Sequence, residues 1–387
     1  MNDAISKAVQ DKTGALIALR RQLHSMPELA FQETETAALI AEKMNTLGLA
    51  TQTGIGKTGV VAVLEGARPG PTLMIRADID GLPVDEDTGL EFASTNGVMH
   101  ACGHDGHTSI LITTAEILAG MKDHLAGKVM FLFQPAEEII AGAKAMIDDG
   151  VLDHYQPDRT IGLHIMNILP VGKIATNRGP LMSGGIRFSI AIEGPGGHAG
   201  LPNETVDPVV IGSQIVLALQ TVVSREISPM RPGVLTIGSF ISDSAVGNVI
   251  SKKVELLGSV RAFDPEQLDE MFAAIQRLAT GVGEAGRASI TVTEQHRVRP
   301  TVNNADVAEW FAGIAEHIVG EGAAEVEPMT GGEDMSEFLH RVPGAFFLVG
   351  GETEGTEYHH SPKFDFDEKS LAVGVELFVR ATADYLS

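Results

Sequence analysis

Several apolar, strand-like runs in this chain end in residues that an apolar core would reject. TLMIRA gives way to Asp78 and Asp80, VMFLFQP to Glu137 and Glu138, and RTIGL to His164, while MHACGHDGH gathers His100, Cys102, His104, Asp105 and His107. Between these clusters lie longer periodic segments. After His107, for example, Ile110, Leu111, Thr114, Ile117 and Leu118 fall at helical spacing and predict an amphipathic helix packed on a sheet. Strands alternating with helices predict an α/β layer, and open α/β sheets gather their chemistry at the carboxyl ends of the strands. Such a sheet would bring the four clusters to one edge. A fifth, His359 and His360 in YHHSPKFDFDE, follows the run FFLVGG.

The texture changes near Ser183. GGIRFSIAIEG, the helix VDPVVIGSQIVLALQTVVSRE, the strands VLTIGSFIS and KKVELLGSVRAF, the helix EQLDEMFAAIQRLATGVGEAG and the strand ASITVTEQ follow one another. The order strand, helix, strand, strand, helix, strand predicts a ferredoxin-like α+β domain inserted over residues 184–296. Residues 1–183 and 297–387 would form the other domain, completed by the helix NADVAEWFAGIAEHIV, the strand GAFFLVGG and a closing helix from Asp367 to Tyr385. Two domains suit 387 residues at roughly 150 per domain.

Charge and cysteine content narrow the partners. Fifty-one Asp and Glu against 28 Lys and Arg give a formal charge of −23, which repels phosphate backbones and anionic lipid. Neither nucleic acid nor a membrane is expected as a partner. The single cysteine, Cys102, permits no intramolecular disulfide and fits the cytoplasm. The N-terminus reads as a helix with Leu16, Leu19, Arg20 and Leu23 at helical spacing, without the apolar core of a signal peptide. No later segment reaches the ~20 uninterrupted apolar residues of a membrane span.

A thiol, three imidazoles and a carboxylate close together suit a borderline-soft divalent ion such as zinc. Two other readings compete: a buried structural cysteine beside solvated histidines, and a Cys102 nucleophile activated by His104 or His107. Glu137 and Glu138 stand where a strand meets the next helix, so one can bind metal while the other handles protons; at a helix start they would also be ordinary dipole partners. Gly54 to Gly59 matches a dinucleotide fingerprint and contains GKT, but it precedes a strand instead of following one, which excludes both nucleotide readings. Gly194 to Gly200, GPGGHAG, reads as a turn presenting His198.

Taken in order, RADIDGLP, MHACGHDGH, FQPAEE, LHIMN, GPGGHAGLP, GGEDMSEF and HHSPKFDFDE closely resemble the hippurate hydrolase group of N-acyl amino acid amidohydrolases. That group includes the indole-acetyl-amino-acid hydrolases and is more distantly related to aminoacylase and carboxypeptidase G. The resemblance implies an α/β/α catalytic domain with a dinuclear metal site, interrupted by a smaller ferredoxin-like lid that often dimerises. It implies two divalent ions (Zn, Mn, Co or Ni) held by Cys102, His104, Glu138, His164 and His360, with Glu137 as general base. Asp80 matches a carboxylate that orients a ligand histidine. Asp78 stands where the wider superfamily has a histidine ligand, and Cys102 near its bridging aspartate. From the lid, His198 would act on the active site and Asn248 and Arg261 would contact the substrate carboxylate. The expected reaction is amide hydrolysis of small N-acyl amino acids by a homodimer or higher homo-oligomer. A deacetylase or desuccinylase of a biosynthetic amino acid, a dipeptidase, and a non-catalytic metal-binding protein are the alternatives.

Overall fold

A computed structural model describes residues 2–387. The chain forms two compact units, one of Met1–Leu181, Val302–Glu327 and Asp334–Ser387, the other of Met182–Thr301 with Pro328–Glu333. The last six residues join the second unit through local bonds: Ser183 N–H donates to Met329 O at 2.9 Å, and Arg261 Nη1 donates to Thr330 O at 2.8 Å.

The first unit is built on an eight-stranded sheet, in the order Ala50–Ile55, Gly59–Glu65, Ala126–Gln134, Arg68–Asp78, Arg159–Met166, Gly344–Gly350, Ile174–Thr176 and Ala323–Glu325. Its four central strands, 126–134, 68–78, 159–166 and 344–350, run parallel. Helices cover their faces, so they are apolar nearly without alternation, and their carboxyl ends share one edge. Asp78 pairs in register with Gln134, and His164 with Leu348.

The helix His104–Ala119 begins at the second histidine of MHACGHDGH, earlier than the sequence predicts, after Gly103 in the left-handed region at φ 86°. It is not one-sided. Nearly every residue is buried, because the helices Asn2–His24 and Lys369–Tyr385 cover the face turned away from the sheet. No full strand leads into His100, where Met99 makes only an isolated bridge with Leu82.

In the second unit the strands run 233–242, 253–262, 184–193, 289–298 across one antiparallel sheet, the ferredoxin-like order. GGIRFSIAIE alternates, burying Ile186, Phe188, Ile190 and Ile192 against the helices Pro208–Thr221 and Pro265–Gly286. Each helix has an aspartate N-cap, Asp207 or Asp264, followed by proline.

Candidate metal centre

The carboxyl ends of the parallel strands, with the loops that follow, deliver most of the cluster. Asp78 ends its strand fully buried, its Oδ2 accepting from Arg76 Nη1 at 2.8 Å and its Oδ1 from His107 Nδ1 at 2.6 Å. Burial opposes its ionisation, but the neighbouring His104 ring, the Arg76 guanidinium and the His107 hydrogen bond outweigh that and hold its acid well below the usual range. Both Asp78 oxygens are thus committed to cations or donors of the protein itself.

The three imidazoles of MHACGHDGH are used differently. His107 is saturated, since Nδ1–H donates to Asp78 while Nε2 accepts from Ile165 N–H at 2.9 Å. His100 donates from Nδ1 to the Asp80 carbonyl at 3.1 Å, and burial pushes its pKa down to about 4. His104 also donates from Nδ1 to the Asp80 carbonyl, at 3.0 Å. Its buried Nε2 has no hydrogen-bond partner and lies 3.6 Å from Asp78 Oδ2, 3.9 Å from Glu138 Oε1 and 4.0 Å from Glu137 Oε2.

Glu137 and Glu138 do not open a helix. They sit in a turn between the strand ending at Gln134 and the helix Gly142–Asp148, with Ala136 at φ 53° and Ile140 at φ 54°, so the dipole explanation for the pair falls away. Glu137 N–H donates to Asp80 Oδ1 and Glu138 N–H to Asp80 Oδ2, each at 3.0 Å. The Asp80 backbone carbonyl makes the closer approach to the His104 ring, while its carboxylate, 3.4 Å from Nδ1, grips the turn.

His164 lies inside its strand rather than after it, donating from Nδ1 to Ile165 O at 2.7 Å and presenting Nε2 to Cys102 Sγ at 3.4 Å. His360, at φ 70°, donates its N–H to Ala101 O at 2.8 Å and brings Nε2 to 3.3 Å from Glu138 Oε2. Its neighbour His359 donates from Nε2 to Ile165 O at 3.0 Å.

Cys102, His104 and His164 therefore offer ligand atoms within 4.8 Å of one another, as do His104, Glu137 and Glu138, and Cys102, Glu138 and His360. These overlapping groups mix sulfur, nitrogen and oxygen donors, the set that zinc and similar ions accept. His104 Nε2 and Glu138 Oε1 are buried without hydrogen-bond partners, as atoms waiting on a cation would be. Burial, with Asp80 and Asp78 nearby, lifts the Glu138 pKa to about 7 against the pull of His104. Burial and the Glu138 charge push the Cys102 thiol well up, which works against a Cys102 thiolate nucleophile in the metal-free protein.

Three residues named from the sequence belong to the second unit. His198 lies exposed in the short strand Gly197–His198, paired with Val249, and its Nδ1 accepts from Gly200 N–H at 2.9 Å. Asn248 is its neighbour, accepting Ala199 N–H at 3.2 Å. Arg261 stands in the strand Lys253–Ala262 opposite Gly185 and Val234. Sequence reasoning missed a buried group beneath the cluster. Arg76 donates from Nε to Gln134 at 2.8 Å and from Nη2 to Asp334 at 3.1 Å, and Asp334 also accepts Ala143 N–H at 2.9 Å. An arginine inside the apolar run TLMIRAD was the available signal, because a buried guanidinium requires partners.

Residues 74–384 match peptidase family M20/M25/M40. The chain belongs to this family. As an M20 protein it is a hydrolase of the amidohydrolase and peptidase group, and the comparisons agree along nearly its whole length. An N-acetylcysteine deacetylase of Bacillus subtilis is 40% identical, covering 94% of each chain. An N-acyl-L-amino acid amidohydrolase of Geobacillus stearothermophilus is 41% identical over 78% of this chain and 81% of its own. The crystal structure of a dinuclear metal-binding M20 peptidase from Bacillus subtilis superposes with a TM-score of 0.85 at 34% identity, covering 97% of this chain and 98% of the other.

Proposed function

We propose that this M20 hydrolase cleaves the amide bond of small N-acyl amino acids with two divalent ions, Zn, Mn, Co or Ni, held by Cys102, His104, Glu138, His164 and His360. The observation that carries this is His104 Nε2, buried and without a hydrogen-bond partner, facing the carboxylates of Glu137 and Glu138. Bound ions would acidify water and polarise the scissile carbonyl. The protein's own groups do the rest. Glu137, nearly buried yet reaching the surface, takes the proton of the attacking water and delivers it to the departing amine. Asp80 fixes its backbone, while the Asp80 and Ile165 carbonyls set the tautomers of His104 and His164 so that Nε2 of each is the ligating atom.

Within the same reading, His198 supports the developing oxyanion, and Asn248 and Arg261 bind the substrate carboxylate. Arg261 adds to the positive charge of the bound ions, which an anionic substrate needs on a chain of net charge −23. The second unit is the lid, the working form is a homodimer, and the location is cytoplasmic. The relatives named for N-acetylcysteine and N-acyl-L-amino acids support this substrate class.

Hydrolysis of N-acetyl, N-benzoyl and indole-acetyl amino acids, followed by amine release, tests it. Metal-loaded protein should cleave at least one class, and Glu137→Ala should lose on the order of 10²–10⁴ in kcat while keeping its metal. Equal rates for the two proteins would remove Glu137 from the mechanism.

A further inference from the structure

Three successive backbone N–H groups in the turn that carries Glu137 and Glu138 are each held by a buried carboxylate. Asp80 takes two of them, and the third, Ala136 N–H, donates to Glu33 Oε1 at 2.9 Å. Glu33 comes from a different part of the chain and is fully buried, its other oxygen accepting the Thr58 hydroxyl at 2.5 Å.

Glu33 is the N-cap residue of the helix Thr34–Thr46, its backbone carbonyl accepting Ala37 N–H at 3.0 Å, but its side chain makes no capping bond. Capping there belongs to Glu28, whose carboxylate accepts the N–H groups of Thr34, Glu35 and Thr36 at 2.9, 3.1 and 2.9 Å. The segment is anchored at its other end as well, where Gly81 N–H donates to Glu28 O at 2.8 Å. Glu33 is therefore presented to the turn by a support fixed both to a helix and to the exit of the Asp78 strand. Its target is the one residue of the turn's leading edge with backbone strain, Ala136 at φ 53°.

We propose that Glu33 is a positioning residue for the hydrolytic reaction, holding the Ala136 N–H so that the turn keeps Glu137 and Glu138 aimed at one site. This rests on the proposed roles of Glu137 as base and Glu138 as ligand. Removing the carboxylate frees the strained Ala136 to relax, which displaces both glutamates while leaving substrate contacts elsewhere untouched. A small misplacement of a base costs rate far more than binding.

The test uses full-length metal-loaded enzyme with Glu33→Ala, Glu33→Asp and Glu33→Gln, measuring kcat and KM on the best substrate of the panel and zinc affinity by competition with a chromogenic chelator. Glu33→Ala should lower kcat on the order of 100-fold with KM within about threefold, and weaken zinc binding about tenfold or more. Glu33→Gln keeps an acceptor for Ala136 N–H and should recover most of both losses. Glu33→Asp, one methylene short, should resemble Glu33→Ala and serves if that variant does not fold. Wild-type kcat and zinc affinity in Glu33→Ala or Glu33→Asp would overturn the proposal, as would losses in Glu33→Gln as large as in Glu33→Ala. Failure of the underlying reading looks different, because the unsubstituted protein would then bind no zinc or lose no activity on chelation.

Discussion

At the scale of residues, the centre depends on which atom of each side chain is left open. His107 and His104 lie three positions apart, yet Asp78 and Ile165 occupy both nitrogens of the first while only Nδ1 of the second is taken. The residue types were legible in the sequence, since thiol, imidazole and carboxylate crowd into a few motifs. The open atoms were not, because they are decided by backbone groups far along the chain, as with the Asp80 carbonyl 24 residues before His104. The same holds for Gly142. A Cβ there would stand 1.5 Å from Pro135 O, a backbone atom that cannot step aside without moving the Glu137 turn. Gly142→Ala should therefore lower thermal stability and reduce kcat at least tenfold in the protein that remains folded. Kinetics and a melting curve check this, and parent-like values in both would mean the turn is not tightly held.

At the scale of elements, the central strands were readable because burial on both faces leaves near-continuous apolar runs, and the second unit because its strands alternate. The start of the helix at His104 was not, since left-handed Gly103 precedes it in place of a capping side chain. Nor was the turn at Glu137, which depends on a positive φ at an alanine. The helix Asn2–His24 reads in sequence as a plain amphipathic helix but carries a buried ionic connection. His24 Nδ1 donates to Asp105 Oδ2 at 2.8 Å, which also accepts from Arg20 Nε at 2.8 Å, and His24 Nε2 lies 3.1 Å from Glu86 Oε1. Burial disfavours the imidazolium, but Asp105 and Glu86 outweigh it and raise the pKa from 6.5 to about 9. The raised value makes this contribution full below pH 6.5, declining above it and gone as pH passes about 9. Denaturant unfolding of metal-free protein from pH 6 to 9 should show stability falling with pH by up to about 1.4 kcal/mol per unit more than in His24→Gln. Identical slopes for the two proteins would show that His24 is not protonated in the fold.

At the scale of the whole molecule, strong acidity coexists with an apolar surface on the second unit. Val210, Leu217 and Val223 are exposed on or just after the helix Pro208–Thr221, and Val234, Phe240 and Ile241 on the edge strand Gly233–Ser242. The segment Pro208–Glu226 is long and apolar enough to cross a membrane, yet a third of it is buried within the protein, with Ile211, Ile215, Leu219 and Val222 in the second core. A second copy is the proposed cover for this exposed helix and sheet edge. Because each copy carries a charge of −23, dimerisation should strengthen as salt screens the repulsion, and Leu217→Asp should weaken it at every ionic strength. Sedimentation equilibrium checks this, and a monomer at high salt and high concentration would remove the dimer from the account. The central claim, a two-ion centre on Cys102, His104, Glu138, His164 and His360, is tested most directly by titrating chelated protein with Zn²⁺ or Mn²⁺ while following amide hydrolysis. The account predicts negligible activity without metal and a plateau reached at two ions per chain. Full activity in the chelated protein would contradict it and transfer the chemistry to Cys102.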